Sequence, residues 1–242
     1  MAQEIPSFSP LYRQIKRLIL QALEAGEWQP GQAIPGEQEL ASRFGVSHGT
    51  VRKAIDDLSA GNILVRRQGK GTFVSSHQDP RSAFRFLRLK SLDGSVSQHQ
   101  SVPLECRSEA AGPEILRELG LVPESEVVRL VRLLHFDGKP VVAERIFLPG
   151  EIFAGLDLEM LKAWQGSLYS LFETRFGVRM IRAEEKIRAV AADEETSSLL
   201  DLSVQTPLLQ VERVAFSYGN KPVEWRLGWY STTMHYYANE LY

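Results

Sequence analysis

The sequence holds a single cysteine, Cys106, so no disulfide can form within the chain. Long apolar runs are missing too: none approaches the roughly 18 residues needed to span a bilayer. Met1 to Pro10 lacks the basic patch and apolar stretch of a secretory leader. These absences point to the cytoplasm. The five histidines, His48, His77, His99, His135 and His235, are scattered with no pair at helical ligand spacing, so neither a metal site nor a cofactor is expected. Charge of one sign is also scarce. The formal net charge is −2, divided into +2 for residues 1–77 and −4 for residues 78–242.

What is present fits a globular protein of two domains. At 242 residues, with 43% hydrophobic and 24% charged, each half has the material for its own core. The first half opens with an amphipathic helix from Pro10 to Ala25, in which Leu11, Ile15, Leu18, Ile19, Ala22 and Leu23 recur at three- and four-residue steps. Gly26 ends it. A short helix follows Pro35, with Glu37 and Glu39 at its positive end and Leu40, Ala41 and Phe44 inward. Gly45, Val46 and Ser47 form a tight turn, and Ser47 is placed to cap a third helix over His48 to Ala60. That helix turns Val51, Ala54, Ile55 and Leu58 inward and leaves Thr50, Arg52 and Lys53 outward.

Two short helices joined by a glycine turn make a helix-turn-helix, whose second helix meets base edges in the major groove. An arginine there can bond two acceptors of one guanine. Ile63 to Ser75 then reads as a hairpin with the basic, glycine-containing tip Gln68-Gly69-Lys70-Gly71. Any one of these features can be plain architecture. Their order within one short domain points to DNA.

The stretches Pro35-Gly36-Glu37-Gln38-Glu39-Leu40-Ala41, Phe44-Gly45-Val46-Ser47, Thr50-Val51-Arg52-Lys53-Ala54 and Arg66-Arg67-Gln68-Gly69-Lys70-Gly71-Thr72-Phe73-Val74 resemble the winged-helix domain of the GntR family of bacterial regulators. The expected DNA-binding residues are Gln38, His48, Thr50, Arg52, Lys53, Arg67, Gly69 and Lys70. Arg52 and Gly69 match the family pattern. Gln38 and His48 stand where the family usually carries arginine, which leaves the operator sequence open.

Residues 76–83 read as a polar linker containing Pro80. Beyond it, a helix, Leu119-Gly120-Leu121 and a hairpin ending in Lys139-Pro140-Val141 are echoed by a helix, Leu200-Asp201-Leu202 and a hairpin ending in Lys221-Pro222-Val223. Two helix-hairpin units building one antiparallel sheet are expected. Strand alternation places Arg132 among Val128, Leu130, Leu134 and Phe136, and Glu144 among Val142, Ile146 and Leu148. Charges so placed must pair, as an internal Arg–Glu bridge would, or face a polar ligand. A two-residue Asp137-Gly138 loop would put Arg132 and Glu144 on opposite faces, and a three-residue loop with Gly138 as a bulge on the same face. Both remain open at this level.

This second half resembles the effector domain of the family's HutC branch, called UTRA, through Arg132-Leu133, Asp137-Gly138-Lys139-Pro140-Val141, Glu144, Gly166-Ser167-Leu168-Tyr169, Pro222-Val223-Glu224 and Tyr230. The resemblance implies an α+β protein. Residues 1–75 form a winged helix-turn-helix, and residues 84–242 an antiparallel sheet with flanking helices, similar to chorismate lyase. It also implies a small-molecule pocket lined by Arg132, Glu144, Ser167, Tyr169, Glu224 and Tyr230, and a homodimer formed through this domain. Many relatives have a second arginine where Leu134 stands, and a different stretch at Ser231-Thr232-Thr233, which weakens a sugar phosphate as the ligand.

The expected function is a transcription regulator, a repressor, released from palindromic double-stranded DNA by a metabolite. Sugar phosphates, amino acids and their breakdown products, and phosphonates all fit as that metabolite. The rivals are a chorismate lyase-like enzyme fused to a DNA-binding domain and an adaptor whose winged helix contacts protein. No activated nucleophile, metal set or glycine-rich phosphate loop supports catalysis.

Overall fold

A computed structural model describes residues 9–79, 86–94 and 99–239. The sequence also reads as extended near His235 to Glu240; Glu240, and residues 80–83 of the expected linker, lie outside the described residues. The chain divides into two compact units, residues 1–79 and 80–242.

In the first unit, α1 (Leu11–Glu24), α2 (Glu37–Phe44) and α3 (His48–Ala60) precede a hairpin of β1 (Leu64–Arg67) and β2 (Gly71–Val74). The core stripe of α1 is narrower than its apolar content suggests. Ile15, Ile19 and Leu23, spaced by four, are buried, while Leu11 and Leu18 stay exposed. All four expected inward residues of α3 are buried. Gly45 sits at φ 64°, a left-handed conformation that ends α2 and that side-chain-bearing residues rarely adopt. Ser47 Oγ accepts from the Thr50 amide three residues on and caps α3, which starts at the next residue, His48. The expected winged helix-turn-helix is therefore present.

The second unit is built on a six-stranded antiparallel sheet. In chain order it comprises β3 (Leu89–Ser91), β4 (His99–Ala110), α4 (Pro113–Leu119), β5 (Glu126–Phe136), β6 (Lys139–Pro149), α5 (Leu158–Ala163), α6 (Leu168–Phe176), β7 (Arg182–Ala191), α7 (Glu194–Leu200), β8 (Pro207–Phe216), β9 (Pro222–Tyr230) and β10 (His235–Tyr237). The spatial order is β4-β5-β6-β9-β8-β7, and β3 pairs separately with β10. The two helix-hairpin units are thus there, each with an outer strand added. One runs β4-α4-β5-β6 and the other β7-α7-β8-β9, and their hairpins meet where β6 pairs β9.

Alternation sorts the two faces of the sheet. Val128, Leu130, Ile146 and Leu148 pack with Leu168, Leu171 and Phe172 from α6. On the other face Val127, Phe147 and Trp225 pack on Ile115 and Leu119 from α4, and Leu133 and Ala143 on Leu200 from α7.

The hairpin β5–β6 resolves the open register in a third way. Its loop is the two-residue one, with Asp137 at φ 50° and Gly138 at φ 81°, the left-handed pair that a tight hairpin turn requires. Pairing then slips by one residue, from His135↔Pro140 to Leu134↔Val142, leaving Val141 as a bulge. The slip brings Arg132 directly opposite Glu144 on one face. The β8–β9 hairpin bulges at the equivalent valine, Val223, between Phe216↔Pro222 and Ala215↔Glu224.

Candidate functional site

The α6 face of the sheet holds a cavity of about 790 Å³. Its walls come from β4 (His99 to Pro103), the segment Lys162 to Tyr169 entering α6, and Phe86 and Leu87. Arg132, Glu144, Arg213, Arg226 and Tyr230, from the four central strands, form its floor.

That floor is a chain of buried ion pairs. Arg132 Nε donates to Glu144 Oε2 at 2.6 Å, and Arg226 Nη1 donates to Glu144 Oε1 at 2.8 Å. Arg226 uses Nε and Nη2 on the two oxygens of Glu224, at 2.9 and 2.7 Å. The Tyr169 hydroxyl donates to Glu224 Oε1 at 2.9 Å. Alongside, Arg213 donates from Nε to Glu185 Oε1 at 2.7 Å and from Nη2 to the Phe86 carbonyl at 2.6 Å. Arg132 Nη1 reaches Ser101 Oγ on β4 at 3.2 Å.

Burial opposes ionisation of Glu144, but the surrounding guanidiniums of Arg132, Arg226 and Arg213 outweigh it and hold the carboxyl at about 2. Burial first, and then the charge of Glu224, push the Tyr169 hydroxyl up to about 12, so it stays a donor at neutral pH. Burial and then Arg132 lower His99 at the cavity wall. In the equivalent hairpins Glu144 and Arg226 occupy the same place, each three residues past its Lys-Pro-Val. One hairpin supplies the anion and the other the cation.

In the first unit, the outward side of α3 is exposed at His48, Arg52 and Lys53. Arg52 Nε donates to Glu37 Oε2 at 3.1 Å, and His48 Nε2 lies 2.9 Å from the same oxygen. Gly69 and Lys70 form the exposed tip of the wing, and Gly69 takes φ 69°.

Comparison with known proteins agrees with both halves. The family "Bacterial regulatory proteins, gntR family" matches residues 11–74, and the UTRA domain matches residues 94–235. The chain belongs to the GntR family, HutC branch. One relative, the "Probable fructoselysine utilization operon transcriptional repressor" of Shigella flexneri, is 32% identical over 88% of this chain and 87% of that protein. The histidine utilization repressor of Pseudomonas putida is 28% identical over 89% and 85%. The solved ligand-binding domain of a GntR-family regulator from Bordetella bronchiseptica is 43% identical, with a TM-score of 0.63, and covers 64% of this chain and 96% of that one. This GntR-family chain is therefore a DNA-binding transcription regulator with a UTRA effector domain.

Among the residues expected to line a UTRA pocket, Arg132, Glu144, Ser167, Tyr169 and Tyr230 do line the cavity. Glu224 does not. It lies fully buried beneath the floor, engaged by Tyr169 and Arg226. Ser167 caps α6 through its hydroxyl, which accepts from the Ser170 amide. The sequence reading left out Arg213 and Arg226. Arg213 sits at the echo position of Arg132. The signal for Arg226 was strand period, because it shares a face with Glu224 and Tyr230.

Of the expected DNA-binding residues, Gln38, His48, Arg52, Lys53, Gly69 and Lys70 are exposed and Arg67 is partly so. Arg67 stacks over the Phe73 ring at 4.5 Å, and Lys53 lies 4.3 Å from the Tyr12 ring centre. Thr50 is partly buried, and its hydroxyl pairs with Ser47 at 2.8 Å, inside the cap of α3. Among the described residues no helix is long and apolar enough to cross a membrane.

Proposed function

We propose that the chain is a cytoplasmic homodimeric repressor that holds a palindromic operator and leaves it when a small metabolite fills the UTRA cavity. The observation that carries this reading is the cavity itself, with Arg132, Glu144, Arg226 and Tyr230 gathered from three different strands onto one floor. A pocket of this size fits a metabolite. Residues 1–75 would read DNA, residues 84–242 would sense the effector, and residues 76–83 would connect them, consistent with the division of the chain after Asp79.

The cavity binds in this reading and does not catalyse. Its ionised groups already neutralise one another, and the relatives are named as regulators. Those names concern fructoselysine, a derivative of an amino acid, and histidine, an amino acid. An occupant carrying a carboxylate beside a polar nitrogen suits a floor of mixed sign.

The test begins with a metabolite screen by thermal shift, because a ligand of the folded state raises its apparent stability. Compounds that stabilise the protein are then titrated into a fluorescent duplex that the protein itself selects from a randomised pool. A stabilising compound should weaken that complex about 5- to 150-fold, the span of ordinary allosteric coupling. If stabilising compounds leave DNA affinity untouched, the cavity is not a control site.

A further inference from the structure

We propose that Glu37 is the positioning residue of the DNA-reading face, the group that decides how far this winged helix discriminates its site from bulk DNA. Glu37 opens α2, and its carboxylate is reached from two other elements. Its Oε2 accepts from Arg52 Nε at 3.1 Å and lies 2.9 Å from His48 Nε2, one turn earlier on α3. Its Oε1 accepts from Arg66 Nη2 on the wing at 2.9 Å, and Arg66 Nη1 continues to Asp56 on α3 at 2.6 Å. The carboxylate side chain is 19% exposed, whereas Arg52 is 59% exposed. Glu37 therefore lies under the cations it holds, and they face outward.

Two consequences follow from the chemistry of arginine. Because Nε is committed to Glu37, the outer edge of Arg52 presents both Nη groups, the fork that matches O6 and N7 of guanine. A free guanidinium on a long stem would reach any nearby phosphate, and phosphate contacts carry no sequence information. The same anion neutralises part of the charge of Arg52 and Arg66, lowering the reward for non-specific contact. Glu37 so suppresses binding to random DNA while preparing Arg52 for a base.

The experiment uses the full chain, the duplex it enriches from a randomised pool and a scrambled duplex, with affinities measured across salt concentrations. E37Q should lower the ratio of the two affinities about tenfold, inside the roughly 5- to 150-fold that one bidentate base contact supplies. On the scrambled duplex its salt slope should steepen by about one to two, as Arg52 and Arg66 turn to phosphates. E37D, which keeps the charge, should recover most of the ratio. In an R52A background E37Q should no longer change it.

Equal loss of affinity for both duplexes in E37Q would reduce Glu37 to a prop of α2. The same fall in ratio with Arg52 absent would make it a reader in its own right. Either result overturns the proposal, as would an E37D ratio as low as that of E37Q.

Discussion

At the scale of single residues, Glu144 shows how burial and charge compete. It is 2% exposed, and the guanidiniums of Arg132 and Arg226, which pair with it directly, together with the nearby Arg213 make its ionised form tolerable. Its carboxyl titrates at about 2 in the fold against an ordinary 4.5. A depressed value of this kind stabilises the fold above the ordinary value, and that stabilisation is lost as pH falls toward 2. The loss amounts to about 3 kcal/mol between those limits. E144Q, measured by urea unfolding, should be several kcal/mol less stable than the unaltered protein at pH 7, because two buried guanidiniums lose their anion. The difference should shrink as pH falls from 4.5 to 2. A constant difference across that range would mean that Glu144 is not the titrating group. The sequence announced this residue through its apolar strand neighbours, but it gave no sign that the partners number two. Arg226 comes from a strand that only the tertiary fold brings alongside.

At the scale of elements, the local code was most readable where a single residue forces the backbone. Gly45 and Ser47 marked the turn between α2 and α3, and α3 begins and ends where the sequence placed it. Ser47→Ala should cost about 1 kcal/mol in thermal or urea unfolding, since the Thr50 amide loses its acceptor.

The strand β4 was not foreseen at all. It is an edge strand, with only half-buried or exposed residues and Pro103 in its middle, so it lacks the alternation that marks a strand with one covered face. Short α5 buries no residue fully and left no periodic stripe. The hairpin register also escaped, because a bulge is a choice of pairing that no single residue dictates. Deleting Val141 should therefore be tolerated, because it removes the bulged residue and leaves Arg132 opposite Glu144 in a regular two-residue hairpin. One residue inserted after Ala143 should instead turn Glu144 toward the opposite face. The cooperative thermal transition should then be lost or lowered by many degrees, whereas the Val141 deletion should lower it only modestly.

At the scale of the whole molecule, two units with unlike tasks share one chain. One presents an exposed basic tip and a helix of outward polar groups, and the other encloses a cavity. In the proposed dimer, two reading heads are tethered, and the second binds at an effective concentration set by the tether. A duplex with both half-sites should then be bound about 100-fold or more tightly than one with a single half-site, as measured by anisotropy at fixed salt. Equal affinities would show that each head acts alone. The mirrored strand order of the second unit was visible in sequence as a repeated helix, Leu-x-Leu and hairpin ending in Lys-Pro-Val. The bulge the two hairpins share, and their meeting at β6 and β9, needed the fold.

The placing of Glu144 and Arg226 at equivalent points of the two hairpins has one more effect. A receptor whose floor supplies both signs stays satisfied while vacant, so it can wait in its folded form without an occupant to hold it together. Under the proposed function, any effector has to compete with contacts already made. The threshold of the response would then be set from within, by how firmly the two hairpins grip each other's charge.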